Sequence, residues 1–553
     1  MTDSTKDLVL KKFQSRGIDV VTVSERKFPG ETIVVVEVSN KYQEALEVAS
    51  ELDASIEHGF VTVKRAQANS GGNKHRVTSV RDERVTSLIE MLNSRSRTSE
   101  SRPSLGYVAD ATEQLRVAVT PRNHLVFGRR GAGKTALLLE AKRVVEERGD
   151  RVIWMNVQTI RSLAAARAFL TVGVRLCELI DNVGDRRTGR SSEVARALRD
   201  RVVVALNAPT VDGDQLGIIS AQLQQLIGMA CTEAQCAIYV FLDDIHYMRP
   251  NEVPEFLDLV HGVTRDNDAW LKVAGIKHQT RWFSGSPPVG LQTGHDAAVI
   301  NLDVTLEEPA KARIFLDNIL KVYIEASGAR PVRGFLSASA VDRLVLASGG
   351  VPRDFMELCA GAIQSARQRQ GAKYTGAQDV NNAAGLAARA KLQELEDDAA
   401  SMTTSEAPIV MALNAVREFM LNEQQITYLR IDFRDKETHG KEYAMIQSLM
   451  DLRMLHLINS SLSDEHRAGQ RSEVYLLDLS QYSGIRLKQH IRVLDFEGDH
   501  LVLKRTRTNA APQPGDTPKK LIGILRRGPI YELKALTAIA SGYRPFASAG
   551  LSS

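Results

Sequence analysis

The stretch HLVFGRRGAGKTALLLEAKRVVEE, residues 124–147, decides the fold. Four strand-like residues (His124–Phe127) run into a glycine-rich turn, and the turn opens into a run with helical apolar spacing. Within it, Gly128–Thr135 satisfies G-x-x-x-x-G-K-S/T between a strand and a helix, the context in which that pattern cradles phosphate. Each position has a physical task. Gly128, Gly131 and Gly133 let the backbone turn tightly and approach phosphate oxygens with no Cβ in the way. The N–H groups of Arg129, Arg130, Ala132 and Ala136 join the positive end of the following helix as donors. Lys134 reaches the terminal phosphates, and the Thr135 hydroxyl faces a magnesium ion.

Working outward, AIYVFLDD (Ala237–Asp244) is an apolar strand that ends in two carboxylates. Ionised aspartates are almost never buried unpaired, so the pair belongs at the carboxyl edge of a parallel sheet, beside the phosphate loop. Asp243 is the candidate metal ligand with Thr135, and Asp244 the candidate base that polarises a water. Further strand candidates are RVIWMNV (151–157), WLKVAGI (270–276) and AAVINLD (297–303), alternating with helical segments. That alternation predicts an α/β fold with a parallel sheet.

The 553 residues suffice for three or four domains, and 43% hydrophobic with 25% charged residues is ordinary globular usage. Four cysteines with no CxxC pair suggest neither a zinc site nor a disulfide framework. No apolar run approaches the ~20 residues of a membrane helix, and the amino terminus lacks an apolar signal core. The expectation is a cytoplasmic protein without membrane contact. Net charge is +4 overall, but residues 501–553 hold nine Lys/Arg against Asp516 and Glu532. This tail is the stretch best suited to phosphates or an acidic partner.

The chain divides into six parts by composition. Residues 1–66 read as a small α-β-β-α-β module suited to docking or oligomerisation. Residues 67–105 form an Arg/Ser-rich linker, in which RVTSLIEMLN (84–93) has the spacing of one short helix. The sheet domain spans 106–303 and a helical lid 304–400, its end at 387–400 acidic and alanine-rich. Residues 401–500 show helices followed by HLINSS and SEVYLLDL around a charged loop, the outline of a winged-helix-like domain. The basic tail spans 501–553.

Through GRRGAGKT, FLDDIH, WLKVAGIKHQTRWF and SGGVPRDFMEL, roughly Ser104–Arg369 resembles an AAA+ ATPase of the origin-recognition-like and STAND (signal-transduction) branch. The resemblance implies a P-loop NTPase sheet domain with a helical lid, ATP and Mg²⁺ as ligands, oligomerisation, and a C-terminal winged-helix domain. By position, Arg353 in GGVPR would be the sensor-2 arginine, aimed at the γ-phosphate. Lys277, with His278 beside it, falls at the sensor-1 position, and Arg265 where a finger serves a neighbouring subunit. Surface arginine is the alternative for Arg265. Tyr107 and Val108 fall where such proteins contact adenine. Asp244 departs from the commoner glutamate and is one methylene shorter; a ~1 Å misplacement can cost ~100-fold in rate, so slow hydrolysis is expected.

Two functional readings follow. In the first, ATP controls an oligomerising switch with a protein partner, in the setting of a prokaryotic antiviral defence or mobile-element system. In the second, a replication initiator or loader binds DNA through the C-terminal domain, the basic tail and residues such as Arg467 and Arg471. The segment YAMIQSLMDLRML is not basic, which disfavours strong base reading. A small-molecule P-loop kinase is disfavoured by the lid and the large flanking domains.

Overall fold

The computed structural model describes residues 5–28, 31–38, 41–53, 59–65, 76–94, 99–100, 105–108, 113–181, 189–388, 407–464, 467, 469–483, 490–505 and 521–541. Much of the Arg/Ser-rich linker, most of the acidic stretch at 387–400, and residues 506–520 and 542–553 of the tail lie outside them.

The amino-terminal unit runs α1 (Thr5–Ser15), β1 (Val20–Phe28), β2 (Glu31–Val38), α2 (Tyr42–Asp53) and β3 (Gly59–Arg65). β2 pairs antiparallel with β1 and parallel with β3. Strand alternation splits β2 between two cores. Val34, Val36 and Val38 pack with Val9, Phe13 and Val48 of the unit's own helices, whereas Ile33 joins the core of the lid. Within the stretch read as a linker, α3 (Glu83–Ser94) buries Val85, Leu88, Ile89 and Leu92 in that same lid core.

The sheet domain runs α4 (Gln114–Ala118), β4 (His124–Phe127), α5 (Lys134–Glu147), β5 (Arg151–Asn156), α6 (Ala165–Asp181), α7 (Arg190–Asn207), α8 (Gly213–Ala234), β6 (Ile238–Asp243), α9 (Glu252–Thr264), β7 (Ala269–Gly275), a hairpin of β8 (Phe283–Gly285) and β9 (Pro288–Gly290), and β10 (Ala298–Asn301). Among the described residues its sheet has five strands in the order β10-β4-β7-β6-β5, all parallel. The apolar runs read as strands in the sequence fall on these five. Both faces are covered, which is why β4 and β6 are buried along their whole length and apolar apart from His124 and Asp243 at their ends. Val126, Tyr239 and Phe241 pack against Leu137, Leu138 and Ala141 of α5 on one face. Leu125, Val240, Leu242 and Val273 pack against α6–α9 on the other. β4 lies inside the sheet with β5 at its far edge, so the loop after β4 opens where the strand order reverses, the usual ligand crevice of such sheets.

The lid comprises α10 (Pro309–Ser327), α11 (Ala338–Ser348) and α12 (Pro352–Gln368). The carboxyl-terminal unit runs α13 (Ala407–Arg417), β11 (Tyr428–Asp432), α14 (Phe433–Thr438), α15 (Gly440–Asp451), β12 (Leu455–Ser463), β13 (Arg471–Leu477), β14 (Arg492–Glu497), β15 (His500–Arg505) and α16 (Leu521–Arg526). β11, β13 and β12 form an antiparallel sheet in that order. Strand β11 has no counterpart in the sequence reading, because Arg430 and Asp432 interrupt its apolar pattern. Arg430 is nonetheless buried, donating to the Arg526 carbonyl, Asp464 and Ser472. The boundary at 500/501 falls inside the β14–β15 hairpin, where Glu497 pairs with His500. Residues 521–541 pack on this unit: the Tyr428 hydroxyl donates to the Ile524 carbonyl at 2.8 Å, and Leu533, Leu536 and Ala540 are buried. Lid and carboxyl-terminal unit share one continuous hydrophobic core.

Candidate nucleotide-binding site

The phosphate loop is shaped as its glycines require. Gly131 and Gly133 sit at φ +83° and +99°, the left-handed region that side chains resist. A Cβ on Gly131 would stand 2.8 Å from the Arg353 Cβ, so the loop is pressed against the first turn of α12. Lys134 begins α5, is buried, and donates through Nζ to the carbonyls of Gly128 (2.8 Å) and Arg129 (3.1 Å). Burial pushes its pKa below the usual lysine value, while Asp244, Asp243 and Asp303 work the other way.

The two aspartates end β6 directly behind the loop. The Thr135 hydroxyl donates to Asp243 Oδ2 at 2.7 Å, and Asp243 Oδ1 accepts the Asp244 N–H at 3.0 Å. Burial first, then the neighbouring Asp244, raises the Asp243 pKa to about 6 against the opposing Thr135 bond and Lys134 charge. A cation beside Thr135 and Asp243 would relieve that burial cost. One hydroxyl and one carboxylate, completed by phosphates and water, is the donor set magnesium takes in such sites. Asp244 adopts φ +59° and so turns its carboxylate out of the strand direction. Burial raises its pKa as well, opposed by Lys134, Arg353 and Arg130.

These groups line a cavity of about 480 Å³ between the sheet domain and the lid. Of the residues singled out in the sequence, Tyr107, Val108, Arg130, Gly131, Ala132, Gly133, Lys134, Thr135, Ala136, Asp244 and Arg353 line it. Its apolar end is closed by Phe315, Ile319 and Tyr323 of α10 and Met356 of α12, a wall suited to a flat base. Gly128 and Asp243 lie just behind the lining.

Other predicted residues fall elsewhere. The Arg129 guanidinium turns away from the cavity, to Asp303 Oδ1 (3.3 Å) and the carbonyls of Val304 (2.9 Å) and Gly349 (3.2 Å). Its backbone N–H is already given to Asp303 Oδ1 at 2.8 Å. Lys277 is exposed on the turn after β7 and does not line the cavity. Arg265 ends α9 with its side chain 64% exposed, 3.9 Å from Asp296.

Several lining residues carried no signal strong enough to be read from the sequence. Asn156 ends β5 opposite Asp243 in register. His246 is buried with Nδ1 3.9 Å from Asp244 Oδ1. Burial, then the Lys134, Arg130 and His278 charges, lowers its pKa to about 3, so it is neutral. Arg130 lies over the Tyr247 ring at 5.8 Å. The lid wall was also missed, because nothing in α10 marks which of its apolar residues face a ligand.

Among the described residues there is no cluster of three metal-ligating side chains, and no helix is long and apolar enough to cross a membrane. No curated protein matches the sequence. Among solved structures, the chain is similar to Orc1 of Aeropyrum pernix in complex with DNA, with 14% identity, a TM-score of 0.34, and coverage of 67% of this chain and 90% of that one. It is also similar to two variants of Thermotoga maritima RuvB. One is 11% identical (TM-score 0.29, covering 61% of this chain and 80% of that one) and the other 12% (TM-score 0.26, covering 68% and 86%). Residues 108–270, which hold both motifs, match the family described as the AAA ATPase domain, and the parallel five-stranded sheet with its phosphate loop is an AAA+ P-loop fold.

Proposed function

We propose that this chain binds ATP with magnesium, hydrolyses it slowly, and uses the nucleotide as a switch for assembly with further copies of itself and with a protein partner. One observation carries the reading. The phosphate loop, Asp244 and the lid arginine Arg353 converge on a single cavity, in which Gly131 is in contact with Arg353. A triphosphate there touches the sheet domain and the lid at once, so its binding energy differs between open and closed arrangements, as a switch demands.

Lys134 would exchange its loop carbonyls for phosphate oxygens, and Arg353 would meet the γ-phosphate from the lid. Thr135 and Asp243 would hold magnesium, which would supply neutralisation of phosphate charge. Asp244 accepts a proton from a water as its oxygen bonds to the γ-phosphorus. The bond from that phosphorus to the β–γ bridging oxygen breaks, leaving ADP and phosphate. The short reach of Asp244 is the reason for slow turnover. Arg265 stands exposed at the end of α9, where it can serve a neighbouring subunit, and Lys277 is the candidate sensor-1 residue at the turn after β7.

We further assign the sheet domain to the STAND branch, with a cytoplasmic setting in keeping with four unpaired cysteines. The six-part division, with an N-terminal docking module, and a role in defence or a mobile element belong to the same proposal. The order α13-β11-α14-α15-β12-β13, with the sheet ordered β11-β13-β12, supports a winged-helix reading of the carboxyl-terminal unit. A second reading, DNA binding by an initiator or loader, draws on exposed Arg467, Arg471 and Arg527 around the β12–β13 hairpin. Against it, α15, which such a domain would lay in a groove, buries Glu442, Met445, Ile446, Ser448, Leu449 and Asp451 within this chain.

Titration with a fluorescent ATP analogue, and sizing with and without ATP, test the proposal. Wild-type protein should bind at millimolar magnesium and change its assembly state, and Lys134→Ala should do neither. Equal binding by Lys134→Ala would remove the proposal's basis.

A further inference from the structure

Two side chains from outside the sheet domain and lid reach into the surroundings of the nucleotide cavity. Both come from the end of α15. Asp451 is buried, and its Oδ2 lies 2.5 Å from His278 Nε2 and also accepts from Gln279 Nε2, on the turn that follows β7. Its Oδ1 is buried with no hydrogen-bond partner among the described residues. Two residues on, the Arg453 guanidinium pairs with Asp354 Oδ1. Asp354 is buried in the first turn of α12, next to Arg353.

The backbone at Arg453 makes this pairing more than incidental. Arg453 occupies φ +59° just past the helix end, where its N–H donates to the Met450 carbonyl and that of Met454 to Leu449. Glycine is the residue that suits this position. An arginine held there against its conformational preference points to a task for the side chain. A third contact lies alongside: a Cβ on Gly349, in the turn before α12, would run into the His456 ring of β12.

The two arms converge. Gly275, which leads into the turn after β7, lies against Ile245 (a Cβ on it would stand 2.7 Å from Ile245 Cγ2), next to His246, whose Nδ1 is 3.9 Å from Asp244 Oδ1. Arg353, beside Asp354, lines the same cavity as Asp244 from the lid side. We propose that Asp451 and Arg453 are positioning residues for the ATPase site, a clip by which the carboxyl-terminal unit holds the turn at 277–279 and the start of α12 in one geometry around Asp244. The inference rests on the ATPase reading above and adds that docking of the carboxyl-terminal unit sets the rate. Sheet domain and lid can then be aligned only while α15 stays seated, so a partner that lifts this unit would slow hydrolysis and prolong the ATP-bound state.

The test uses the full chain with Asp451→Asn and Arg453→Gly. Arg453→Gly relieves the backbone but leaves the buried Asp354 carboxylate without its guanidinium, so a purely structural role predicts a lower melting temperature with wild-type turnover in the folded protein. The clip predicts faster hydrogen exchange at 352–358 in Arg453→Gly and at 276–282 in Asp451→Asn, both without nucleotide and well below the melting transition. Affinity for a fluorescent ATP analogue should stay within about 3-fold while turnover falls about 10-fold or more, since small misplacements around a reacting group are costly. Wild-type exchange in both variants, or altered exchange with unchanged turnover, overturns the clip alone. A wild-type protein that binds ATP analogue but shows no turnover, or binds none, overturns the ATPase reading and this inference with it.

Discussion

The guanidinium of Arg129 donates to the carbonyl of Gly349 across 3.2 Å, tying the phosphate loop to the lid over 220 residues of sequence. The same side chain also holds Asp303 and the Val304 carbonyl at the end of β10. The phosphate loop is thereby tied both to the end of β10 and to the turn that opens α12.

Removing that brace should be felt as instability. Arg129 is 6% exposed, and Arg129→Ala leaves buried carbonyls and a carboxylate short of donors, at about 1–3 kcal/mol for each group left unsatisfied. We expect a fall in stability of roughly 2–4 kcal/mol and weaker nucleotide binding. Arg129→Lys should not rescue it, because an ammonium cannot reproduce the planar fork. Calorimetric melting of the three proteins checks this.

The two left-handed glycines of the loop should respond differently to alanine. At Gly131 the new Cβ meets Arg353 at 2.8 Å and Val351 at 3.0 Å, so strain comes with displacement of the lid. At Gly133 nothing lies within 4 Å, and the cost is the left-handed backbone alone, roughly 1–2 kcal/mol. Gly131→Ala should lose at least about tenfold in ATP affinity (~1.4 kcal/mol), more than Gly133→Ala. Parallel titrations decide.

Lys134 and Asp244 should separate binding from chemistry. Lys134→Ala removes the ammonium beside the loop and should abolish measurable ATP binding. Asp244→Asn keeps the shape but cannot take a proton, so ATP should bind and persist, with turnover down ~100-fold or more. Nucleotide extracted from purified Asp244→Asn should be ATP; unchanged turnover would remove Asp244 from the reaction.

Acid should destabilise the folded chain through its buried histidines. His246 and His124 each have a pKa lowered to about 3, both chiefly by burial. The folded state keeps these imidazoles neutral where the unfolded chain, titrating near 6.5, protonates them. Their contribution is complete above pH 6.5 and is lost as pH falls toward 3, at up to about 1.4 kcal/mol per pH unit for each group. Asp243 works in the opposite sense: with its pKa raised to about 6, its folded state gains as pH falls from 6 to about 4. Urea midpoints at pH 7 and pH 5 should therefore show a smaller loss in His246→Gln than in wild type.

Where local pattern and chemistry coincide, the chain could be read directly. A buried strand, a turn needing positive φ and a helix lie within residues 124–147, and the double aspartate ends a strand with no polar residue. Such features depend on neighbours a few residues away, so they survive in one dimension. β11 did not, because Arg430 and Asp432 look like surface residues until their partners arrive from 464, 470, 472 and 526.

By itself, the sequence determined that a triphosphate-shaped loop sits at the edge of a parallel sheet, since backbone conformation and strand burial follow from residue type and spacing. Only the tertiary structure decided which charges serve that loop. Arg129 and Arg130 are adjacent and chemically identical, yet one is buried as a brace to the lid and the other lies over Tyr247 at the cavity. Likewise Asp451 and Arg453 meet His278 and Asp354 from more than 90 residues away. The energy of a charged group depends on what surrounds it in space, and no spacing along the chain encodes that.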